Sequence, residues 1–142
     1  NINRNAVKGK KVVLIDDSIV RGTTSVKIVE LMRQAGAQEV HMKIASPPIK
    51  YPDFYGIDTP EKAQLLASLK SEEEMAAYIG ADSLSFLSVD GLYRAMGHEN
   101  GRDDDNPAFT DHCFTGDYPT PLEDNNIAWL FETSQLSVRN EN

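Results

Sequence analysis

The chain has 142 residues, with 14 lysines and arginines against 22 aspartates and glutamates, so its formal net charge is −8. Its length predicts about one domain, and 40% hydrophobic with 25% charged residues is typical of a globular protein with one core. An acidic chain repels phosphate backbones, which argues against general nucleic-acid binding. Any phosphate ligand must therefore be held at one local site.

Cysteine content and hydropathy narrow the class further. Cys113 is the only cysteine, which excludes an intrachain disulfide framework and is typical of a reducing compartment. No stretch approaches the ~18 apolar residues of a membrane span, and residues 1–11 show no signal-peptide pattern. We therefore expect a soluble, cytoplasmic protein that binds no membrane.

Residues 11–45 predict a β-α-β unit. The apolar run 11–16 is typical of a strand buried on both faces, as in a parallel sheet. Apolar residues recur at helical spacing over 24–35 and precede Gly36, which predicts an amphipathic helix. A second strand over 39–45 stops at two prolines, which lack the amide hydrogens of a ladder. The crossover should be right-handed and the strands parallel.

Shorter elements are expected after the second strand. Segment 46–58, rich in Pro, Gly and aromatic residues, is too long for a tight turn and is a candidate functional loop. Thr59-Pro60 predicts the start of a short helix, and Ser71-Glu72-Glu73-Glu74 has the capping-box pattern of another. A third strand is expected over 83–89 and a short helix over 92–96.

The apolar period vanishes over residues 98–121, which predicts irregular structure. We therefore divide the chain into an α/β region, residues 1–97, and an irregular C-terminal extension, residues 98–142. Trp129 lies among apolar residues near the end of this extension, which predicts a segment docked on the body or on another subunit. Its apolar neighbours are Ile127, Leu130 and Phe131.

The most informative segment, residues 12–24, is a strand that ends in two carboxylates and continues through a polar loop into a helix. Ligands of open α/β sheets bind just beyond the carboxyl ends of strands. The N–H groups and positive dipole end of the helix, with small residues at 22–24, suit a phosphate. Asp16 and Asp17 can accept hydrogen bonds from vicinal hydroxyls, so the pattern predicts a ribose 5-phosphate site. A Walker loop is excluded because its lysine and glycine spacing are absent.

The acidic pair also has simpler interpretations. Adjacent aspartates at a strand end often form only an Asx turn and a helix cap. Successive strand side chains point to opposite faces, so Asp16 and Asp17 can reach one ligand only if the chain bends at Asp17. A receiver domain would need a further acceptor aspartate and a lysine after later strands, and neither is placed correctly.

The whole of residues 12–24 resembles the phosphoribosyl pyrophosphate (PRPP) signature of type I phosphoribosyltransferases. The form Asp-Asp-Ser-Ile-Val-Arg-Gly-Thr-Thr is similar to that of the glutamine PRPP amidotransferase family. Further matches cover most of the chain in the family's order: residues 46–49, 54–58, 79–82, 84–89 and 113–119. The resemblance implies an α/β, Rossmann-like, parallel-sheet type I phosphoribosyltransferase fold, present as a partial domain with an irregular C-terminal tail.

The resemblance also implies a role for each signature residue. Asp16 and Asp17 would bind the PRPP ribose and help to place a magnesium ion. The 5-phosphate would be held by the following loop, through Ser18, Arg21, Gly22, Thr23 and Thr24. The family transfers ammonia to C1 of PRPP with loss of pyrophosphate, and a glutaminase domain with a cysteine nucleophile releases that ammonia from glutamine.

In this interpretation residues 1–97 are the C-terminal half of a phosphoribosyltransferase domain, and the glutaminase domain and its nucleophile lie outside this chain. The implied activity is amidophosphoribosyltransferase, the first committed step of purine synthesis, and the chain alone is expected to be inactive. Implied partners are PRPP, purine nucleotides, the glutaminase domain and further copies in a homo-oligomer. The alternative is a non-catalytic PRPP-sensing module.

One branch of the family carries an iron–sulfur cluster, and the resemblance implies that this chain does not. The aligned ligand positions hold Asp53, Thr110 and Cys113, so one of three thiolates remains, whereas a cubane cluster is normally held by four. We expect Asp53 and Thr110 to meet through hydrogen bonding and packing where the cluster would otherwise link the tail to the body.

The remaining polar residues have structural interpretations. Cys113 lacks a histidine arrangement for nucleophilic catalysis beyond its neighbour His112, which favours a structural thiol. His41 and His98 have no partner at metal-ligand spacing and are expected on the surface. Residues 102–105, Arg-Asp-Asp-Asp, lack the spaced oxygens of a calcium loop and are expected to form a solvated turn.

Overall fold

The structure is a computed structural model that describes residues 2–122. Three parallel strands form one sheet in the order β1-β2-β3. They are β1 (Lys11–Asp16), β2 (Glu39–Ile44) and β3 (Ser83–Phe86). The predicted parallel β-α-β unit is confirmed, whereas the predicted docking segment around Trp129 lies outside the described residues.

Six helices accompany the sheet in residues 2–122. The helices are α1 (Arg4–Val7), α2 (Thr23–Gln34), α3 (Leu66–Leu69), α4 (Glu72–Ile79), α5 (Val89–Ala95) and α6 (His112–Thr115), with a 3₁₀ turn at Lys62–Gln64. Two of them, α2 and α4, pack against one face of the sheet. The capping box of α4 is present, with Ser71 and Glu74 bonding each other's backbone N–H. Within residues 2–122, no helix combines the length and apolar character needed to cross a membrane.

The core lies between one face of the sheet and helices α2 and α4. In β2 the alternate residues Val40, Met42 and Ile44 are almost fully buried. Val29 of α2 and Met75 of α4 belong to the same apolar cluster. Complete burial of a side chain of this size stabilises the fold by about 1.5–3 kcal/mol. The sheet and the two helices are therefore packed firmly together, and this packing holds the β1–α2 connection in place.

The opposite face of β1 differs from the sequence prediction. Val13 is 58% exposed and Ile15 is 78% exposed, so β1 is not buried on both faces in the part of the chain that the structure describes. A continuous apolar run predicted cover on each side. Here the alternate residues Val12 and Leu14 are half-buried, and Leu14 packs against the core cluster.

Three element predictions need correction. No helix begins at Thr59, because its hydroxyl accepts a hydrogen bond from the Asp53 N–H at 2.6 Å and so belongs to the preceding loop. The third strand ends at Phe86, since Ser88 caps α5 by accepting the Gly91 N–H. Residues 98–121 are not wholly irregular, because α6 forms one helical turn there.

Candidate functional site

The connection between β1 and α2 forms a cavity by itself. Residues 16–25 line a space of about 310 Å³. The chain bends at Asp17, and both Asp16 and Asp17 line this cavity. The bend at Asp17 that would let both aspartates reach one ligand is therefore present. Asp16 is half-buried at the end of the strand, whereas Asp17 is exposed.

The N-terminus of α2 also lines the cavity. Gly22 occupies the N-cap position with φ +78°, and no side chain caps the helix. Thr23 and Thr24 follow with exposed side chains. First-turn N–H groups of a helix have no intrahelical acceptor and carry the positive end of the dipole. The predicted residues Ser18, Arg21, Gly22, Thr23 and Thr24 therefore come together with the two aspartates on one concave surface.

Neighbouring segments fix the shape of this loop. Ile19 is 2% exposed and anchors the loop in the core. The Leu66 N–H donates to the Val20 carbonyl at 2.9 Å. Arg21 donates from Nε and Nη2 to Oε1 of Gln64, at 3.1 and 2.9 Å. Nothing in the sequence singled out Gln64, because it lies 43 residues away in a segment without a motif.

A glycine is required at position 22 for two reasons. Its φ is +78°, and a Cβ there would lie 2.6 Å from Cδ2 of Leu66, which is itself 5% exposed. Gly97 provides a control, since it has φ +94° and a Cβ added there would meet no atom within 4 Å.

We expect Gly22→Ala to lower the free energy of unfolding by about 1 kcal/mol or more beyond Gly97→Ala. Both variants place alanine in the left-handed region, at a cost of roughly 1–2 kcal/mol, but only Gly22→Ala also overpacks the core beside Leu66. Urea denaturation of the two variants measures the difference. Equal losses would show that the contact with Leu66 relaxes without cost.

A second polar cluster joins the loop after β2 to α6. Asp53, His112 and Cys113 each place one potential ligand atom within 4.8 Å of the others. His112 Nε2 lies 2.6 Å from Oδ1 of Asp53. The predicted meeting of these two segments is confirmed, but the predicted partner was wrong. Thr110 is exposed, and His112 bonds Asp53 instead.

The surroundings of the cluster shift the pKa values of Asp53 and Cys113. Burial raises the pKa of the Cys113 thiol, and the nearby Asp53 carboxylate raises it further. Burial alone would also raise the pKa of Asp53, but hydrogen bonds from the backbone of Ile57 and Tyr55 and from His112 outweigh it and hold that pKa below its usual value. Cys113 is thus a poor nucleophile in this state, as the structural interpretation of the sequence predicts.

Arg102 does not lie in a solvated turn, contrary to the sequence prediction. Its side chain is 9% exposed and pairs with Asp104, Asp111 and Asp117. The hydrogen bonds that the guanidinium donates to these carboxylates raise its pKa. Asp103 and Asp105 remain exposed. Arg102 therefore links residues 102–117 through ion pairs, although the composition of this segment predicted irregular, solvated structure.

The two other histidines differ from each other. His98 is exposed, as expected. His41 is half-buried on β2, where Nδ1 lies 2.8 Å from the Ser83 hydroxyl and Nε2 lies 2.9 Å from a Glu39 carboxylate oxygen. His41 is therefore only partly exposed, and its partners come from its own and the next strand.

Comparison with known proteins gives consistent matches over most of the chain, although no family model matches it. The amidophosphoribosyltransferase of Rhizobium etli is 63% identical over 125 residues, which are 87% of this chain and 25% of that protein. The Bacillus subtilis amidophosphoribosyltransferase is 56% identical over 119 residues, covering 84% of this chain and 25% of that protein. The chain thus spans about a quarter of the length of these curated relatives.

Solved structures agree with the sequence matches. A B. subtilis glutamine PRPP amidotransferase complexed with ADP and GMP superposes with a TM-score of 0.78 at 54% identity, covering 88% of this chain and 27% of that one. A structure described as the allosteric regulatory enzyme of purine biosynthesis gives a TM-score of 0.75 at 52% identity, covering 87% of this chain and 26% of that one. With this identity and this shared type I phosphoribosyltransferase fold, the chain belongs to the amidophosphoribosyltransferase family.

Proposed function

We propose that residues 16–25 bind the ribose 5-phosphate part of PRPP within an amidophosphoribosyltransferase. That enzyme forms 5-phosphoribosylamine, glutamate and pyrophosphate from PRPP, glutamine and water. One observation carries the proposal: a single loop lines one cavity with two carboxylates and with an uncapped helix N-terminus. A ribose 5-phosphate has the matching polarity, with vicinal hydroxyl donors at one end and a dianion at the other.

The phosphate half of the proposal rests on α2. Its first-turn N–H groups can donate to phosphate oxygens, and the dipole favours a negative charge there. The hydroxyls of Thr23 and Thr24 are exposed beside these groups and can donate as well. Gly22 has no side chain that could cap α2, so no side chain competes with an anion for the first-turn N–H groups.

The ribose half of the proposal rests on Asp16 and Asp17. Ionised carboxylates accept strong hydrogen bonds from hydroxyl groups, and both residues line the cavity. They also suit Mg²⁺, which keeps several waters and binds through one or two carboxylates together with substrate phosphates. When bound, the ion would neutralise charge on the pyrophosphate that leaves.

Other partners follow from the same chemistry. The B. subtilis enzyme of known structure is complexed with ADP and GMP, and purine nucleotides share the ribose 5-phosphate unit of PRPP, so we propose that they can occupy the same loop. We propose further that a glutaminase domain supplies the ammonia, since Cys113 is a half-buried thiol with a raised pKa. We also propose that the enzyme is homo-oligomeric and cytoplasmic.

The test is a pair of measurements on the full-length protein that carries this chain. Titration calorimetry should detect PRPP binding, and a pyrophosphate assay should detect turnover with glutamine or with ammonia. A PRPP-sensing module would bind PRPP and release no pyrophosphate. Absence of both binding and turnover would reject the ribose-phosphate site itself.

We also predict that the protein contains no iron–sulfur cluster. The residues do not fit such a cluster, because a cubane needs four soft, charged donors and the aligned positions offer a carboxylate, an exposed threonine hydroxyl and one thiol. Anaerobic purification followed by iron and sulfide analysis and a visible spectrum checks this. A brown protein with stoichiometric iron and sulfide would contradict the prediction.

A further inference from the structure

We propose that Asp53, His112 and Cys113 bind a single divalent metal ion of the Zn²⁺ type, which links the loop after β2 to α6. One potential ligand atom from each residue lies within 4.8 Å of the other two. The three donors are a carboxylate oxygen, an imidazole nitrogen and a sulfur, which together are typical ligands of Zn²⁺. This site is separate from the cavity of residues 16–25 and does not depend on its proposed role.

Burial distinguishes this cluster from surface groups that merely lie close together. The side chains of Asp53 and His112 are 2% and 5% exposed. Nδ1 of His112 is buried and has no hydrogen-bond partner among the described residues. A buried polar atom without a partner is costly and calls for a bound water or ion. Nε2 is the nitrogen that faces Asp53 and would bind an ion together with it, and Nδ1 would then be left for a bound water.

The donors are also held in fixed positions, which is what a metal site requires. The second oxygen of Asp53 accepts the N–H groups of Tyr55 and Ile57 at 2.9 and 2.7 Å, so the carboxylate cannot rotate freely. The His112 ring is stacked on Tyr118 at 4.9 Å and meets the edge of Tyr55 at 5.1 Å. Little side-chain freedom remains to be lost when an ion binds.

The charges balance when a divalent ion binds. Cys113 loses its thiol proton to solvent, and new bonds form from the ion to sulfur, to one imidazole nitrogen and to a carboxylate oxygen. One carboxylate, one thiolate and one neutral imidazole give a net charge of zero around M²⁺, which suits a buried position. The Asp53–His112 hydrogen bond competes for the same atoms. This bond involves a charged carboxylate and is stronger than a neutral hydrogen bond, yet it is weaker than the combined bonds of Zn²⁺ to a thiolate, an imidazole and a carboxylate.

The three ligand atoms favour Zn²⁺ over Mg²⁺ and over an iron–sulfur cluster. Mg²⁺ prefers oxygen ligands and keeps its waters, so it belongs at Asp16 and Asp17 rather than at a site with sulfur. A cubane cluster needs four thiolates. Three mixed donors hold one ion and leave a fourth position for water, and the half-buried Cys113 lies on the side that solvent can reach.

The test uses the full-length protein, produced without a histidine tag, loaded with Zn²⁺ and desalted. We expect about one zinc per chain and no sulfide by elemental analysis. Loading with Co²⁺ instead should give a thiolate-to-cobalt charge-transfer band. Cys113→Ser and Asp53→Asn should each weaken Co²⁺ binding by more than about tenfold. His98→Gln changes an exposed histidine outside the cluster and should leave binding unchanged.

Three results would overturn the proposal. They are loss of all zinc on desalting, a cobalt spectrum that Cys113→Ser does not alter, and iron with sulfide in place of zinc. Circular dichroism of each variant checks its fold, and Asp53→Asn decides the question if Cys113→Ser does not fold. Metal content is read independently of PRPP turnover, so failure here leaves the ribose-phosphate proposal untouched.

Discussion

Asp17→Asn is expected to weaken PRPP binding by the full-length enzyme about ten- to a hundredfold. A hydrogen bond to a charged group contributes roughly 1.5–3 kcal/mol, and every 1.4 kcal/mol is about tenfold in affinity. Asp17 is exposed in the cavity lining, so the substitution removes charge at the proposed ribose position without opening the core. Thermal unfolding of the variant should therefore stay close to that of the parent.

Asp105→Asn is the matched control for this experiment. It makes the same chemical change at an exposed aspartate that does not line the cavity. Titration calorimetry with PRPP in the presence of Mg²⁺ compares the two variants. Equal affinities would remove the assignment of Asp17 to the ribose, even if the loop still bound the phosphate.

The β-α-β unit could be predicted because local signals and tertiary structure agree there. The strand 11–16, the helix after Gly22 and the capping box at Ser71 each depend on residues within one element. The helix predicted at Thr59 failed for the opposite reason. Its hydroxyl accepts a bond from Asp53 in the preceding loop, and such a tertiary contact overrides a local capping signal.

The same distinction explains how much of the candidate site could be predicted. All the predicted phosphate and ribose residues belong to one continuous loop, so their proximity required only a bend at Asp17. Gln64 and His112 act across 43 and 59 residues, and nothing in the local sequence marks either as a partner. Long-range pairing of single polar residues has no period or motif, so only the folded structure shows it.

The C-terminal segment is the clearest case where composition misled. A run of four charged residues predicts a solvated turn, but Arg102 is 9% exposed, because its Nε donates to Asp111 at 2.7 Å and Nη2 donates to Asp117. Asp111 is itself 4% exposed and also accepts a hydrogen bond from the Tyr93 hydroxyl at 2.7 Å. Asp111, just before α6, therefore bonds both Arg102 and Tyr93 of α5.

Arg102→Met is expected to lower the free energy of unfolding by about 3–5 kcal/mol, because removing one partner of a buried ion pair leaves the other charge uncompensated. Methionine keeps much of the side-chain volume, so the loss reports on charge rather than on a cavity. Arg94→Met makes the same change at an exposed arginine and should cost less than about 1 kcal/mol. Urea denaturation at neutral pH compares the two.

The dependence on pH separates lost charge pairing from lost packing. Burial alone would raise the pKa of Asp111, but hydrogen bonds from Arg102, Tyr93 and Thr115 leave it below the usual value of 3.8. A carboxyl whose pKa is lowered by folding contributes stability above its unfolded pKa, and this contribution is lost as the pH falls towards the folded pKa. The difference in stability between the parent and Arg102→Met should therefore narrow as the pH is lowered through about 4. A difference that stays constant across that range would assign the effect of Arg102 to packing of its aliphatic stem.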